Sequence, residues 1–368
     1  MSQAPLVFVI AGEASGDQLG ANLMASLKGL QNVRFAGIGG TKMQSEGLQT
    51  LFPMDELSIM GLFGILRNLP HLLQRVKFTI ETIRTMKPDV VVTIDAPEFS
   101  FQVMKRLHKL SVRPRLIHYV APTVWAWRPG RARKIARFLD HLLCLYPFEP
   151  PYFEKYALKS TFVGHPVAEE PFEKSKREPN LLCVLPGSRR SEIETLLPIF
   201  KGTVHLLKKE FPDLKVVIPT LPSVEPLIRQ SIENWPCEVQ IVVGDEARKE
   251  AFKNASVSLA ASGTIALQLA AARLPCVIAY KIGAFSGCVA RFLIKTPWVC
   301  MVNILLNKSV IPEFLQENCT PEKLAPAVER LLRDKDACVL QEKAMGEAIS
   351  LLKAPPERAA KVVLEELV

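Results

Sequence analysis

Short apolar runs closed by Gly, Asp or Pro, each followed by a stretch of helical periodicity, recur along the whole chain. Leu6–Ala11, Val33–Gly37, Asp89–Ile94 and Arg115–Val120 read as strands in the first half, and segments near 181–185, 215–219, 239–243, 256–260 and 276–279 in the second. Strands that are apolar throughout are covered on both faces, and strands that alternate with helices form parallel sheets. The expected fold is therefore α/β, with two Rossmann-like doubly wound domains facing across a cleft. Between them, residues 164–179 carry three prolines and many charges, which marks a boundary. The domains that follow are 1–165, a linker over 166–180, a second domain over 181–355, and a terminal helix over 356–368 placed to pack back on the first. Met301–Leu305 and Val310–Leu315 read as loops, with helix from Thr320 onward.

One stretch breaks this rhythm. From Ile59 to Arg75 the chain is apolar around too much of a helical circumference for a surface helix, with basic residues interleaved. Two readings stand side by side. One is a core helix preceded by a loop. The other is a membrane-facing or acyl-binding surface made by Leu62, Phe63, Leu66, Leu69 and Leu73, rimmed by Arg67 and Arg75. Pro70 argues against a single uninterrupted helix.

A chain of 368 residues, 48% hydrophobic, can bury two cores. Its net charge of +9 points to an anionic partner without choosing among nucleotide, lipid surface and nucleic acid. Eight cysteines with no C-x-x-C pair favour reduced core thiols over zinc or disulfides. Met1–Ala11 has no basic n-region and no cleavage site, which predicts a cytosolic protein. No apolar run reaches the ~20 residues of a spanning helix, so any membrane contact is peripheral.

The candidate chemistry lies where strands end. Leu181–Leu185 runs into Pro-Gly-Ser-Arg, and Ser191 with Glu194 has the spacing of a capping box. Such a turn offers backbone N–H groups and a helix dipole to a diphosphate, and Arg189 adds a planar charge. Ser262-Gly263-Thr264 opens a second small-residue turn. Gly12 to Gly20 makes a third, whose spacing is not the dinucleotide G-x-G-x-x-G. Asp95 stands at the carboxyl end of its strand, either as a general base or as a helix cap. Trp125 and Trp127 lie among arginines and suit a sugar or a base. They form a single cluster, and nucleic-acid binding calls for an extended basic face.

Gly-Glu-Ala-Ser-Gly-Asp at 12–17, Ile-Asp-Ala-Pro at 94–97, Tyr-Val-Ala-Pro-Thr-Val-Trp-Ala-Trp-Arg-Pro-Gly-Arg at 119–131, Phe-Val-Gly-His-Pro at 162–166, Leu-Pro-Gly-Ser-Arg at 185–189 and Ala-Ser-Gly-Thr at 261–264 together resemble the lipid-A-disaccharide synthase family. The resemblance spans essentially the whole chain. It implies an inverting glycosyltransferase of the GT-B fold in lipid A biosynthesis of a Gram-negative bacterium. The reaction implied joins UDP-2,3-diacylglucosamine to 2,3-diacylglucosamine 1-phosphate through a β-1,6 bond and releases UDP. Asp95 is then the base. Substrate and UDP contacts fall on Gly12, Ser15, Gly16, Gly187, Ser188, Arg189, Ser262, Gly263, Thr264, Gln268 and Asn303. Neither a metal nor a cofactor is implied, and nucleic acid is not a partner. The resemblance further implies peripheral contact with membrane phospholipid on the cytoplasmic face of the inner membrane, and a homodimer is left open. Gln268 departs from the Glu that many relatives carry after the Ser-Gly-Thr turn. Two rivals remain: another UDP-sugar enzyme of the same architecture, such as an epimerase or a lipid-linked sugar transferase, and a non-enzymatic nucleotide-binding membrane adaptor. The presence of both Asp95 and Arg189 argues against the adaptor.

Overall fold

The computed structural model describes residues 4–57, 62–170, 176–281 and 296–367, with backbone alone over 62–69. The chain divides into two compact units. One runs to Pro166 and is taken up again from Ala354, and the other is Val167–Lys353.

The first unit is built from β1 (Leu6–Ala11), α1 (Ala14–Leu30), β2 (Arg34–Ile38), α2 (Thr41–Ser45), α3 (Leu62–Met86), β3 (Val90–Ile94), α4 (Pro97–Leu107), β4 (Arg115–Tyr119), α5 (Gly130–Ile135), β5 (His141–Cys144), α6 (Pro151–Glu154) and β6 (Lys159–Phe162). Its parallel sheet has the order β2-β1-β3-β4-β5-β6, with Ile10 level with Ile38 and Ala11 level with Ile94. Alternate side chains of β1 go to opposite faces, as a strand requires. Val7 and Val9 pack with Leu23 and Leu27 of α1, while Phe8 and Ile10 pack with Val76 of α3 and Phe99 of α4.

The second unit contains β7 (Leu181–Leu185), α7 (Arg190–Glu210), β8 (Lys215–Thr220), α8 (Glu225–Ile232), β9 (Val239–Val243), α9 (Asp245–Asn254), β10 (Val257–Ala261), α10 (Ile265–Ala271), β11 (Cys276–Tyr280), α11 (Met301–Leu306), β12 (Glu313–Leu315), α12 (Pro321–Arg333) and α13 (Lys335–Leu351). Its sheet order is β9-β8-β7-β10-β11-β12, again parallel, which is the strand order of dinucleotide-binding folds. The remaining helix, α14 (Arg358–Glu365), returns to the first unit, where Ala360 and Val363 are fully buried against the α1 face of the sheet. Glu366 just beyond it accepts hydrogen bonds from Lys159 Nζ at 2.8 Å and His141 Nδ1 at 3.0 Å.

Three expectations need correction. Glu313–Leu315, inside the stretch read as a loop, is strand β12, level with Ile278–Tyr280 of β11. Met301–Leu306 is a helix: Met301, Val302 and Asn303 are buried, and Asn307 ends it with a left-handed φ of +50°. The backbone of α3 also runs through Pro70 without a break. Pro70, like Pro198 inside α7 and Pro326 inside α12, is exposed, so the bond it does not donate is lost on the solvent side.

Candidate functional site

In an open parallel sheet, ligands bind at the carboxyl ends of the strands where the strand order reverses. In the first unit that point lies between β1 and β3, and the loops leaving it are Gly12–Glu13 and Asp95–Ala96. The two loops touch. A Cβ on Gly12 would meet that of Ala96 at 2.6 Å, so only glycine admits this approach. Asp95 and Ala96 both take left-handed backbone, with φ of +51° and +43°, a strained pair for non-glycine residues. Hydrogen bonds from Asp95 N to the Tyr119 carbonyl (3.0 Å) and from Ser100 Oγ to the Asp95 carbonyl (2.8 Å) hold the turn. The N-cap of α4 is Ala96, and the Asp95 carboxylate takes the Ala96 N–H rather than one inside the helix, so Asp95 is not serving as a cap. Burial, against the pull of that N–H and with the help of Glu98's charge, raises its pKa. A carboxylate made more basic in this way suits proton abstraction. Of the other residues singled out here, Gly16 is buried against β3, and Ser15 is exposed at the first turn of α1. Asp17 is structural, its carboxylate accepting the N–H groups of Gly40, Lys42 and Met43 at the start of α2.

The tryptophan segment divides into a buried half and an open half. Trp127 is 37% exposed, with the Arg128 guanidinium 4.3 Å from its ring centre. Trp125 is core: its ring meets Phe148 edge-on at 5.2 Å, and Nε1 donates to Glu149 at 3.2 Å. Glu149 is 1% exposed and also accepts the Tyr146 N–H at 3.0 Å. Burial outweighs these donors and pushes its pKa from 4.5 to about 7. Around it, burial lowers His165 to about 4 and raises the Cys144 and Tyr146 hydrogens out of range. Because the native state holds this proton more tightly than the unfolded chain, Glu149 favours folding most at acid pH. That contribution is lost as pH rises from 4.5 through about 7. Tryptophan fluorescence of the folded protein is accordingly expected to titrate with a midpoint near 7, and Glu149→Gln to abolish that titration. A wild-type signal flat from pH 5 to 8 would refute it.

In the second unit the order reverses between β7 and β10, and a pocket of about 370 Å³ opens there. Gly187–Arg189 and Ser262–Thr264 line it from the two sides, joined by Gln268, so seven of the predicted contacts come together. Among the described residues, two polar side-chain atoms at this pocket have no partner, Thr220 Oγ1 and Gln268 Oε1, both buried. Such groups are costly unless something supplies a hydrogen bond. The cap of α7 differs from the expected Ser191/Glu194 pairing. Arg189 is the N-cap, Glu192 reaches back to it, and Glu194 pairs instead with Arg190 at 2.8 Å. The N–H groups of Ser188 and Arg189, expected to be free, are both bonded to Glu192.

Asn303 is not brought to the pocket. It is fully buried, donating to the Ile311 carbonyl and Glu313 and accepting from Val310 and Ile311 N–H, so all its hydrogen-bonding capacity holds the loop after α11. The chain has one D-x-D spacing, Asp334-Lys335-Asp336, and there Asp334 caps α13 through Ala337 N at 3.0 Å. The side chains of Leu62, Phe63, Leu66, Arg67 and Leu69 lie outside the described residues. Beyond them α3 is amphipathic, with Leu72, Val76 and Ile83 buried in the core and Leu73 40% exposed. Arg75, expected at a lipid rim, is engaged within the fold, by Glu56 at 2.6 Å and over the Phe52 ring at 4.7 Å.

Two parallel six-stranded α/β units in one chain, with ligand-type geometry at the reversal point of each sheet, define the GT-B class of fold. Solved structures agree. The S. aureus MnaA–UDP co-structure superposes with a TM-score of 0.63 at 12% identity, covering 98% of this chain and 95% of its own. The glycotransferase of kitacinnamycin superposes at 0.64 with 14% identity over the full length of both. The particular family comes from sequence. The family model for lipid-A-disaccharide synthetase matches residues 7–368. The lipid-A-disaccharide synthase of Rhodospirillum centenum is 48% identical over 98% of this chain and 94% of its own, and that of Paramagnetospirillum magneticum 46% over 98% and 97%. The chain belongs to the lipid-A-disaccharide synthetase family.

Proposed function

We propose that this protein is an inverting glycosyltransferase of lipid A biosynthesis that joins UDP-2,3-diacylglucosamine to 2,3-diacylglucosamine 1-phosphate, giving the β-1,6-linked disaccharide 1-phosphate and UDP. Family membership supports the reaction. The structural observation that carries it is the basic carboxylate of Asp95 at the reversal point of the first sheet. Asp95 takes the proton of the acceptor's 6-hydroxyl as that oxygen attacks the donor's anomeric carbon. The bond from that carbon to the diphosphate breaks on the opposite face, its electron pair leaving with UDP, which inverts the centre. In the second unit, Arg189 and the turns at Gly187–Arg189 and Ser262–Thr264 are the groups suited to hold the diphosphate, and Gln268 and Thr220 offer polar atoms to the nucleoside. The test is UDP release from the purified protein given the two acylated sugars. Activity with unacylated UDP-N-acetylglucosamine alone would favour an epimerase instead.

Arg189→Ala is expected to weaken UDP binding and slow transfer together. The effect should be about tenfold, the lower end for a charge-assisted contact, because the side chain is largely exposed. Unchanged UDP affinity by calorimetry would remove Arg189 from the site.

The acyl chains of both substrates belong in a bilayer, and among the described residues no helix is long and apolar enough to cross one. The reading therefore includes peripheral association with phospholipid on the cytoplasmic face of the inner membrane. The net charge of +9 supports it, since an anionic leaflet attracts such a surface.

A further inference from the structure

The turn that opens the pocket of the second unit is engaged by one of the chain's own carboxylates. Glu192 folds back beneath Gly187. Its Oε2 accepts the N–H groups of Ser188 at 3.2 Å and Arg189 at 3.3 Å, and its Oε1 accepts Arg189 Nη1 at 2.9 Å. A Cβ on Gly187 would come within 2.5 Å of Oε2, and the φ of +112° there suits glycine alone. A capping box accounts for the reach from Glu192 to the N-cap N–H. It does not call for the second N–H or the guanidinium. Two successive backbone N–H groups at a helix start with a guanidinium opposite are instead what a phosphate group takes. The phenol of Tyr280 feels both charges: burial and the Glu192 charge raise its pKa, and Arg189 lowers it.

We propose that Glu192 sets the affinity of the donor site, as an internal anion that occupies the phosphate-binding groups and that the diphosphate of the nucleotide displaces. The proposal rests on the UDP-sugar reading of this pocket. A carboxylate and a diphosphate cannot share the same three donors, and brought side by side they repel. Binding therefore requires Glu192 to give up its contacts, and its return helps expel UDP after transfer. The carboxylate thus weakens the hold on the product while keeping Arg189 oriented between turnovers.

The test is calorimetry of full-length wild-type and Glu192→Gln protein with UDP and with uridine. The glutamine keeps an oxygen for the N–H groups, so α7 stays capped, and removes the charge together with the acceptor that faced Arg189 Nη1. UDP is expected to bind about fivefold tighter to the variant, the upper end of what an exposed ion pair contributes. Uridine, which has no phosphate, should bind both proteins equally. Equal or weaker UDP binding by the variant overturns the proposal and leaves Glu192 as a residue that only positions Arg189. Tighter binding of uridine as well would also overturn it, since the gain would not be electrostatic competition. Should wild type bind no UDP, the nucleotide reading itself fails, which is a distinct result. If the glutamine variant does not fold, Glu192→Asp serves, because the shorter arm cannot span the two N–H groups and the guanidinium together. Its UDP affinity is expected to rise in the same direction.

Discussion

Asp95→Asn is expected to lower turnover by about 10²–10⁴-fold while leaving UDP affinity unchanged. The substitution removes the proton acceptor and little else. Asparagine is one of the few residues at ease in left-handed backbone, so the φ of +51° at this position is retained, and its amide oxygen can still accept the Ala96 N–H. Burial that raises the pKa of the carboxylate increases its basicity, so the loss of that oxygen falls on the step in which the acceptor hydroxyl gives up its proton. UDP is assigned to groups of the second unit, and Asp95 belongs to the first. Steady-state rates across pH, with UDP titrated by calorimetry, decide it. Wild-type turnover in the variant would reduce Asp95 to a structural turn residue, and parallel loss of UDP binding would mean the fold had been damaged.

The second large effect concerns stability. Arg177→Ala is expected to destabilise the second unit by about 3 kcal/mol, because it leaves a group of part-buried backbone carbonyls without their cation. The Arg177 guanidinium donates to four backbone carbonyls. Nη1 reaches Phe252 (3.0 Å) and Ala255 (2.9 Å) beside the end of α9, and Nη2 reaches Ala272 (3.1 Å) and Arg273 (2.7 Å) just after α10. Helix ends carry unpaired carbonyls and partial negative charge, and one planar cation answers two such ends at once. Urea unfolding followed by circular dichroism measures the effect. Arg177→Lys should recover only part of the loss, since one ammonium cannot fork to four acceptors. A variant as stable as wild type would show that water satisfies those carbonyls equally well.

The sheet architecture was open to inspection in the sequence, because parallel strands buried on both faces leave short apolar runs that recur between helical stretches and turn residues. The strand predicted near 181–185 is Leu181–Leu185, and those near 239–243 and 276–279 lie within a residue of their observed ends. The short helix at Met301–Leu306 was not visible, since six mostly apolar residues give no period to separate helix from loop. The same division runs through the site. The Gly187 and Ser262 turns could be found because a small-residue turn between strand and helix is a local signal. Residues whose task is set by distant partners gave none. Arg177 lies 75 or more positions from the carbonyls it serves, and Glu149 lies 24 from Trp125, in a proline-flanked stretch that looks like surface. Asn303 shows the converse: its type suited a nucleotide pocket, and its bonds go to its own loop.

The return of α14 to the first unit fixes an order of assembly during synthesis. The second unit is continuous from Val167 to Lys353 and has all its strands before the chain ends. The first unit, begun earliest, is finished last: the face of its sheet over α1 waits for Ala360 and Val363, and the His141 side chain waits for Glu366. A nascent chain on the ribosome therefore carries a first unit without α14 for the whole time the second is being made. The stretch after Ala354 acts as the closing stitch of a fold that was opened at Leu6.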